Sequence, residues 1–304
     1  MKRSILSLIL MVAFGSIAQI PVVSSGKIVH YDNFNSNFVT ARNVDVWLPD
    51  GYSPGKRYAV LYMQDGQMLF DSTHTWNHQY WNVEKTLTRI SGQGKIKDCI
   101  VVGIWNVPDK MNAEYFPQKI LDSIPEETRK TILSKQLRGN PLADNYLKFL
   151  VRELKPFIDS HYSTAKDAGN TFLIGAGMAG LFSLYALCEY PGIYGGVACL
   201  SLHSPIVSFE LINQNTDKDV ADRFRNYLFR NLPPANTKMF YFDYGSMKED
   251  SYYGPYQNAM DAVMTKKGYT SSNWTTRYYA GEGHSERSWG KRFDIPILFL
   301  LKKK

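Results

Sequence analysis

The chemistry of this chain gathers around Thr171–Pro191, TFLIGAGMAGLFSLYALCEYP. The stretch reads as a short apolar strand, a glycine turn and an amphipathic helix. A G-x-S-x-G sequence on such a turn lifts a serine hydroxyl above a sheet as a nucleophile. Here the five residues are Gly175-Ala176-Gly177-Met178-Ala179, so Gly177 stands at the serine position and Ala179 at the last glycine. Acyl transfer from such a turn needs an oxygen within hydrogen-bond reach of an imidazole, and Gly177 has no side chain to supply one. Ser183 falls inside the helix pattern and points away from the turn. Ser201 and Ser204 end another apolar run. Glycine does accept the positive φ that the turn imposes. The turn is therefore expected to persist without its nucleophile.

The elements that must position this turn alternate along the chain. Val44–Pro49, Tyr58–Met63, Cys99–Trp105, Leu173–Gly175, Gly196–Leu202, Met239–Tyr244 and Thr275–Tyr279 read as strands. Several are continuous apolar runs, as expected of strands buried on both faces. Asn77–Leu87, Leu142–Ser160, Met178–Tyr190, Asp219–Phe229, Tyr256–Lys267 and Ser285–Leu301 read as helices. In Leu142–Ser160 the apolar residues Leu142, Tyr146, Phe149, Leu150, Leu154 and Phe157 recur at helical spacing. This alternation predicts an α/β fold: a mostly parallel central sheet flanked by helices on both faces. Ligands of such sheets sit beyond the carboxyl ends of the strands, where Gln64–Phe70, Trp105–Tyr115, Gly175–Met178, Leu202–Pro205, Gly245–Asp250 and Gly281–His284 fall. The charge-rich stretch Pro108–Arg138 reads as an insertion over those ends.

Composition removes several function classes. With 304 residues, 44% hydrophobic and 21% charged, the chain is ordinary globular material for one α/β domain. The formal charge of +7 is mild, and the only basic run is the tail Lys302-Lys303-Lys304, so no nucleic-acid module is expected. Lys2 and Arg3, the apolar run Ile5–Phe14 and Ser16-Ile17-Ala18 read as a signal peptide over residues 1–18. The run is too short to span a bilayer. The expected organisation is a leader, then one domain over residues 19–304, exported to the periplasm or the medium. Cys99, Cys188 and Cys199 read as buried free thiols. His74 and His78 have i, i+4 spacing but no third ligand, so neither a metal nor a cofactor is expected.

Further motifs carry a resemblance. They are Gln64-Asp65-Gly66-Gln67-Met68-Leu69-Phe70-Asp71, Gly103-Ile104-Trp105-Asn106, Glu114-Tyr115-Phe116-Pro117, Tyr146–Asp159, Tyr241-Phe242-Asp243-Tyr244-Gly245-Ser246 and Gly281-Glu282-Gly283-His284-Ser285-Glu286. In this order, over roughly residues 40–300, the chain resembles the esterase family of α/β-hydrolases that includes enterobactin esterases, feruloyl esterases and mycolyltransferases. The resemblance implies an α/β-hydrolase fold and carboxyl-ester chemistry. It implies His284 as the base and Asp250 as its acid partner, with Glu249 a competitor one residue earlier. It places the nucleophile at Gly177 and the oxyanion donors at the backbone N–H groups of Met178 and of the Asp65-Gly66-Gln67 loop, chiefly Gln67. Asp65, Gly66, Trp105, Tyr115 and His203 fall where substrate would lie. Trp76 and Trp81 either stack a ring of the ligand or pack a lid. The chain departs from the family at Gln64 (often His), Met68 (Asn) and Ala179 (Gly), as well as at Gly177.

Three functions fit these residues. The first is an exported family member without its serine, binding a small acylated or glycosidic ligand or a protein partner and turning over little. The second is a carboxyl-ester hydrolase using another nucleophile or water activated by His284. The third is an interaction protein whose cleft is plugged by Met68 and Met178.

Overall fold

The computed structural model describes residues 20–73, 75–212 and 216–303; the leader read at 1–18 lies outside them. Among the described residues, eight strands form one sheet. They are β1 (Lys27–Phe34), β2 (Arg42–Leu48), β3 (Ala59–Gln64), β4 (Cys99–Ile104), β5 (Thr171–Ala176), β6 (Gly196–Leu200), β7 (Met239–Met247) and β8 (Trp274–Gly283). Their order is β1-β2-β4-β3-β5-β6-β7-β8. The pairs β1–β2 and β2–β4 are antiparallel and every later pair is parallel. The carboxyl ends of six parallel strands thus share one edge.

Side-chain alternation divides the core in two. Val60, Tyr62, Val102, Leu173, Val197 and Phe242 face one layer, which holds helices Gly177–Glu189 and Thr216–Asn231 and the helical run 143–161. Leu61, Met63, Val101, Ile174, Ala198 and Tyr241 face the other, with helices Val83–Gly92, Glu286–Arg292 and Asp294–Leu300. Strands covered on both faces must be apolar throughout, and β3 to β6 are. No helix of the described residues is long and apolar enough to cross a membrane.

Several expected boundaries move. β1 is an additional edge strand, KIVHYDNF, with a mixed burial pattern that carries little alternation. The helix expected from Asn77 begins at Val83, because His78 and Asn82 adopt positive φ of 52° and 59°. The closing helix is two, separated at Phe293. The stretch 108–138, read as an insertion over the strand ends, is a folded part of one helical layer, burying Phe116, Ile120, Ile124 and Ile132. All three cysteines are free and buried. Desolvation pushes the Cys99 thiol up to about 12.

Candidate active site

The turn after β5 has the geometry its residues demand. A Cβ on Gly175 would lie 2.5 Å from the carbonyl of Ala179, so only glycine lets the helix start so close to the strand. Gly177 adopts φ +56°, a left-handed conformation that costs other residues roughly 1–3 kcal/mol. A Cβ built on Gly177 would lie 2.8 Å from Nε2 and 2.9 Å from Cε1 of His284. The imidazole therefore occupies part of the space a serine side chain would need.

The His284 side of the candidate site is a hydrogen-bonded network whose bond directions follow from donor chemistry. Trp289 Nε1 (2.8 Å) and an Arg292 terminal nitrogen (3.1 Å) both reach Ser201 Oγ. Indole and guanidinium nitrogens only donate, so both lone pairs of Oγ are taken. Its single proton points to Asp250 Oδ2, 2.5 Å away. The Gly245 amide donates to the same oxygen at 2.7 Å. Oδ1 is left to accept from His284 Nδ1 at 2.9 Å. This pattern assigns the proton of the neutral imidazole to Nδ1 and its lone pair to Nε2, facing Gly177. Arg292 is anchored in turn by Asp243, at 2.9 and 3.1 Å. Asp243, Asp250 and Ser201 are all buried. Asp250, not Glu249, meets the histidine. Ser183 is spent on the carbonyl of Ala179 at 2.8 Å.

The second wall is the turn after β3. Asp65 adopts φ +56° and opens the short 3-10 turn Gly66–Met68. A Cβ on Gly66 would lie 2.5 Å from the Gly103 backbone, so the turn rests directly on β4. Asp65 Oδ1 accepts from Asn106 Nδ2 (2.7 Å) and the Tyr115 hydroxyl (3.0 Å). Burial pushes the Asp65 carboxyl up, and these two donors oppose the shift. Gln67 Oε1 accepts from the Asn106 amide at 3.1 Å, which pins the Gln67 side chain. Gln67 and Met178 are each the second residue of a helical turn. Amides at that position have no partner within their own turn, which suits both as donors to an oxyanion.

A cavity of about 190 Å³ opens beside this turn, with Gln67, Met68, Thr75, Trp76 and Trp105 among its walls. Trp76 is 82% exposed. Met68 is buried and forms one wall of this cavity; Met178, half-buried against the core, is not among its walls. Trp81 is core, packed on Trp289 and Phe293. Tyr115 is buried behind Asp65. His203 is buried with Nδ1 on the Tyr253 hydroxyl and Nε2 on the Val207 carbonyl, both at 2.8 Å, so it offers no free nitrogen to a ligand. Gln64 is likewise buried, its Oε1 accepting from Tyr146 at 2.5 Å. A larger groove, about 790 Å³, is lined by residues that precede β3 and β5 and by none of the candidate residues. Among the described residues no group of three or more His, Cys, Asp or Glu side chains could hold a metal ion. His78 precedes its helix, and His74 lies outside the described residues.

Sequence reasoning missed Ser201, Arg292 and Trp289 as parts of the site. Trp289 alone had a signal, five residues after His284 and on the following helix.

The family model described as "Putative esterase" matches residues 36–294. This chain belongs to that esterase family. Among solved structures, it is similar to an IroE-like serine hydrolase from Shewanella oneidensis (TM-score 0.62, 21% identity, 90% of this chain and 80% of the other). It is also similar to the CE1 ferulic acid esterase of Anaeromyces mucronatus (0.59, 19%, 93% and 92%), a protein also solved with ferulic acid. The enterobactin esterase of Shigella flexneri aligns with TM-score 0.62 at 13% identity, over 92% of this chain and 60% of that one. These likenesses show the α/β-hydrolase fold. Two uncharacterised Bacillus subtilis proteins, YbbA and YjcH, are 21% and 24% identical over 53% and 57% of this chain. The chain spans a little over half the length of these relatives, 56% and 60%.

Proposed function

We infer that this esterase-family chain binds a small acyl-bearing molecule beside the Gln67 turn and no longer hydrolyses ordinary alkyl esters. One observation carries the reading: the imidazole of the intact Asp250–His284 pair comes within 2.8 Å of where a serine Cβ would stand, and Gly177 offers it no oxygen. An alkyl ester needs a strong oxygen nucleophile as well as a base, and this turn supplies only the base. An aromatic acyl group suits the cavity, because Trp76 and Trp105 provide ring faces. The cavity beside the Gln67 turn stays open with Met68 in its wall, and its size favours a small ligand over a protein partner.

The test is hydrolysis of methyl ferulate and short alkyl esters by the full chain, with ferulate binding followed by tryptophan fluorescence. The expected result is no turnover and saturable binding that Trp76→Ala weakens. Turnover of methyl ferulate that His284→Ala abolishes would establish instead a working hydrolase that uses His284-activated water. Export through the 1–18 leader belongs to the same reading. N-terminal sequencing of protein recovered from outside the cytoplasm should begin near Gln19, and an intact Met1 would exclude it.

A further inference from the structure

We propose that Nε2 of His284 is itself an acyl acceptor, making this site reactive toward activated acyl donors: aryl esters and thioesters. The inference rests on the acyl-binding reading above. In a serine enzyme the hydroxyl stands between the imidazole and the substrate. Here nothing does. Nε2 lies 2.8 Å from the Gly177 Cβ position, at the start of the turn whose Met178 amide faces the cleft end of the sheet. The buried chain from Trp289 and Arg292 through Ser201 to Asp250 holds the proton on Nδ1 and so keeps the Nε2 lone pair free. The His284 side chain is 24% exposed, enough for a carbonyl carbon to reach its edge.

The step balances with water as the only co-reactant. The Nε2 pair forms a bond to the acyl carbon, and the carbonyl electrons move to oxygen beside the Met178 and Gln67 amides. Collapse expels aryloxide or thiolate with its bonding pair. The acyl-imidazole keeps its positive charge against Asp250 until water attacks the same carbon. The C–N pair then returns to Nε2, and carboxylate leaves with the two protons of the attacking water released to solvent. Aryloxide and thiolate depart from the tetrahedral intermediate in competition with imidazole. Alkoxide does not, which limits the chemistry to activated donors.

The experiment mixes the full chain with excess p-nitrophenyl acetate, follows nitrophenolate by stopped flow, then acid-quenches and locates acetyl groups by peptide mass spectrometry. The expected result is a burst stoichiometric with protein and acetyl on the His284 peptide, removed by hydroxylamine as the hydroxamate. His284→Ala loses the burst, and His161→Ala, at an exposed histidine, keeps it. Asp250→Asn slows it at least about tenfold, since the tautomer is no longer held. Gly177→Ala weakens it by forcing the ring back. Steady nitrophenolate release with no burst or adduct, slowed in deuterium oxide, makes His284 a base for water and overturns the proposal while the acyl-site reading stands. Ferulate binding without any release also overturns it alone. Neither binding nor release removes both.

Discussion

Among the described residues two histidines pair with a buried aspartate, and only one of the pairs sits at the carboxyl edge of the parallel strands. At the sheet edge His30 Nδ1 lies 2.6 Å from Asp45 Oδ1, across the β1–β2 ladder. Above β7 and β8 His284 Nδ1 lies 2.9 Å from Asp250 Oδ1. The difference lies at the other ring nitrogen. His30 is 6% exposed, and its Nε2 is buried with no partner, with the Trp105 ring edge-on to its own. Asp45 spends its second oxygen on the Trp105 indole at 2.5 Å. His284 turns Nε2 to Gly177 at the carboxyl end of β5, and its side chain is 24% exposed. A His–Asp pair is thus a fold device until topology puts its far nitrogen at an open carboxyl edge.

The two pairs also differ in what stands behind the carboxylate, and the largest predicted effect follows from this. Asp250 is backed by Ser201, Arg292 and Asp243, all buried, while Asp45 has only His30 and Trp105. Arg292→Met leaves Asp243 buried without its cation and should cost about 3–5 kcal/mol in urea unfolding. Adding Asp243→Asn should recover part of that loss, because the uncompensated charge is removed with its partner. A cost below 1 kcal/mol for Arg292→Met would show that the network does not brace the His284–Asp250 pair.

A third histidine sharpens the contrast on the pH axis. His203 is satisfied when neutral: Nε2–H donates to the Val207 carbonyl and Nδ1 accepts from Tyr253. Burial holds its pKa down, from 6.5 to about 4, with His284 adding repulsion and Asp250 opposing. Between these values the unfolded chain binds a proton that the folded chain does not. The stability is therefore complete above about pH 6.5 and is lost as the pH falls to 4, by up to about 3 kcal/mol. Urea titrations of the parent and His203→Asn should diverge over this window, with the parent the steeper. Parallel curves would mean that His203 is protonated in the fold.

Residues fixed by local backbone demands were legible in the sequence. Gly175 and Gly177 are dictated by the strand–helix approach and the positive φ, and the alternation of apolar runs foretold β2 to β8. His284 and Asp250 were legible through motif resemblance. What could not be read needs distant residues brought together. Ser201 meets Asp250, Trp289 and Arg292 only after β6, β7 and the last helices pack, and its single proton is committed by that packing. The advance of the His284 ring into the space above Gly177 is tertiary for the same reason. β1 was missed because an edge strand with half-buried residues on both faces carries little period-two signal.

Placing a serine at Gly177 tests the reading that the turn holds no nucleophile. Gly177→Ser should melt below the parent, with a loss of roughly 1–3 kcal/mol in unfolding free energy, because a Cβ must take φ +56° and displace His284 from 2.8 Å. A higher melting temperature would mean that the turn relaxes without cost and that glycine is no stability device. Gly92→Ala, at a helix end with nothing within 4 Å of the added carbon, is the matched control and should be neutral or slightly stabilising.

The smallest expected effect comes from the edge pair. His30→Phe fills the same slot beside Trp105 with an apolar ring. It removes the buried unpartnered Nε2, worth about 1–3 kcal/mol, and also the hydrogen bond to Asp45. Asp45 keeps the Trp105 indole as donor. Burial then lifts the Asp45 carboxyl further, since His30 is among the groups that oppose its upward shift. The two changes nearly cancel, and the net shift in unfolding free energy should stay within about 1 kcal/mol. Ferulate binding, read by tryptophan fluorescence, should shift only through Trp105, one wall of the cavity. If His30→Phe instead abolished binding as His284→Ala would abolish acylation, the edge pair would be part of the site and the distinction between the two pairs would collapse.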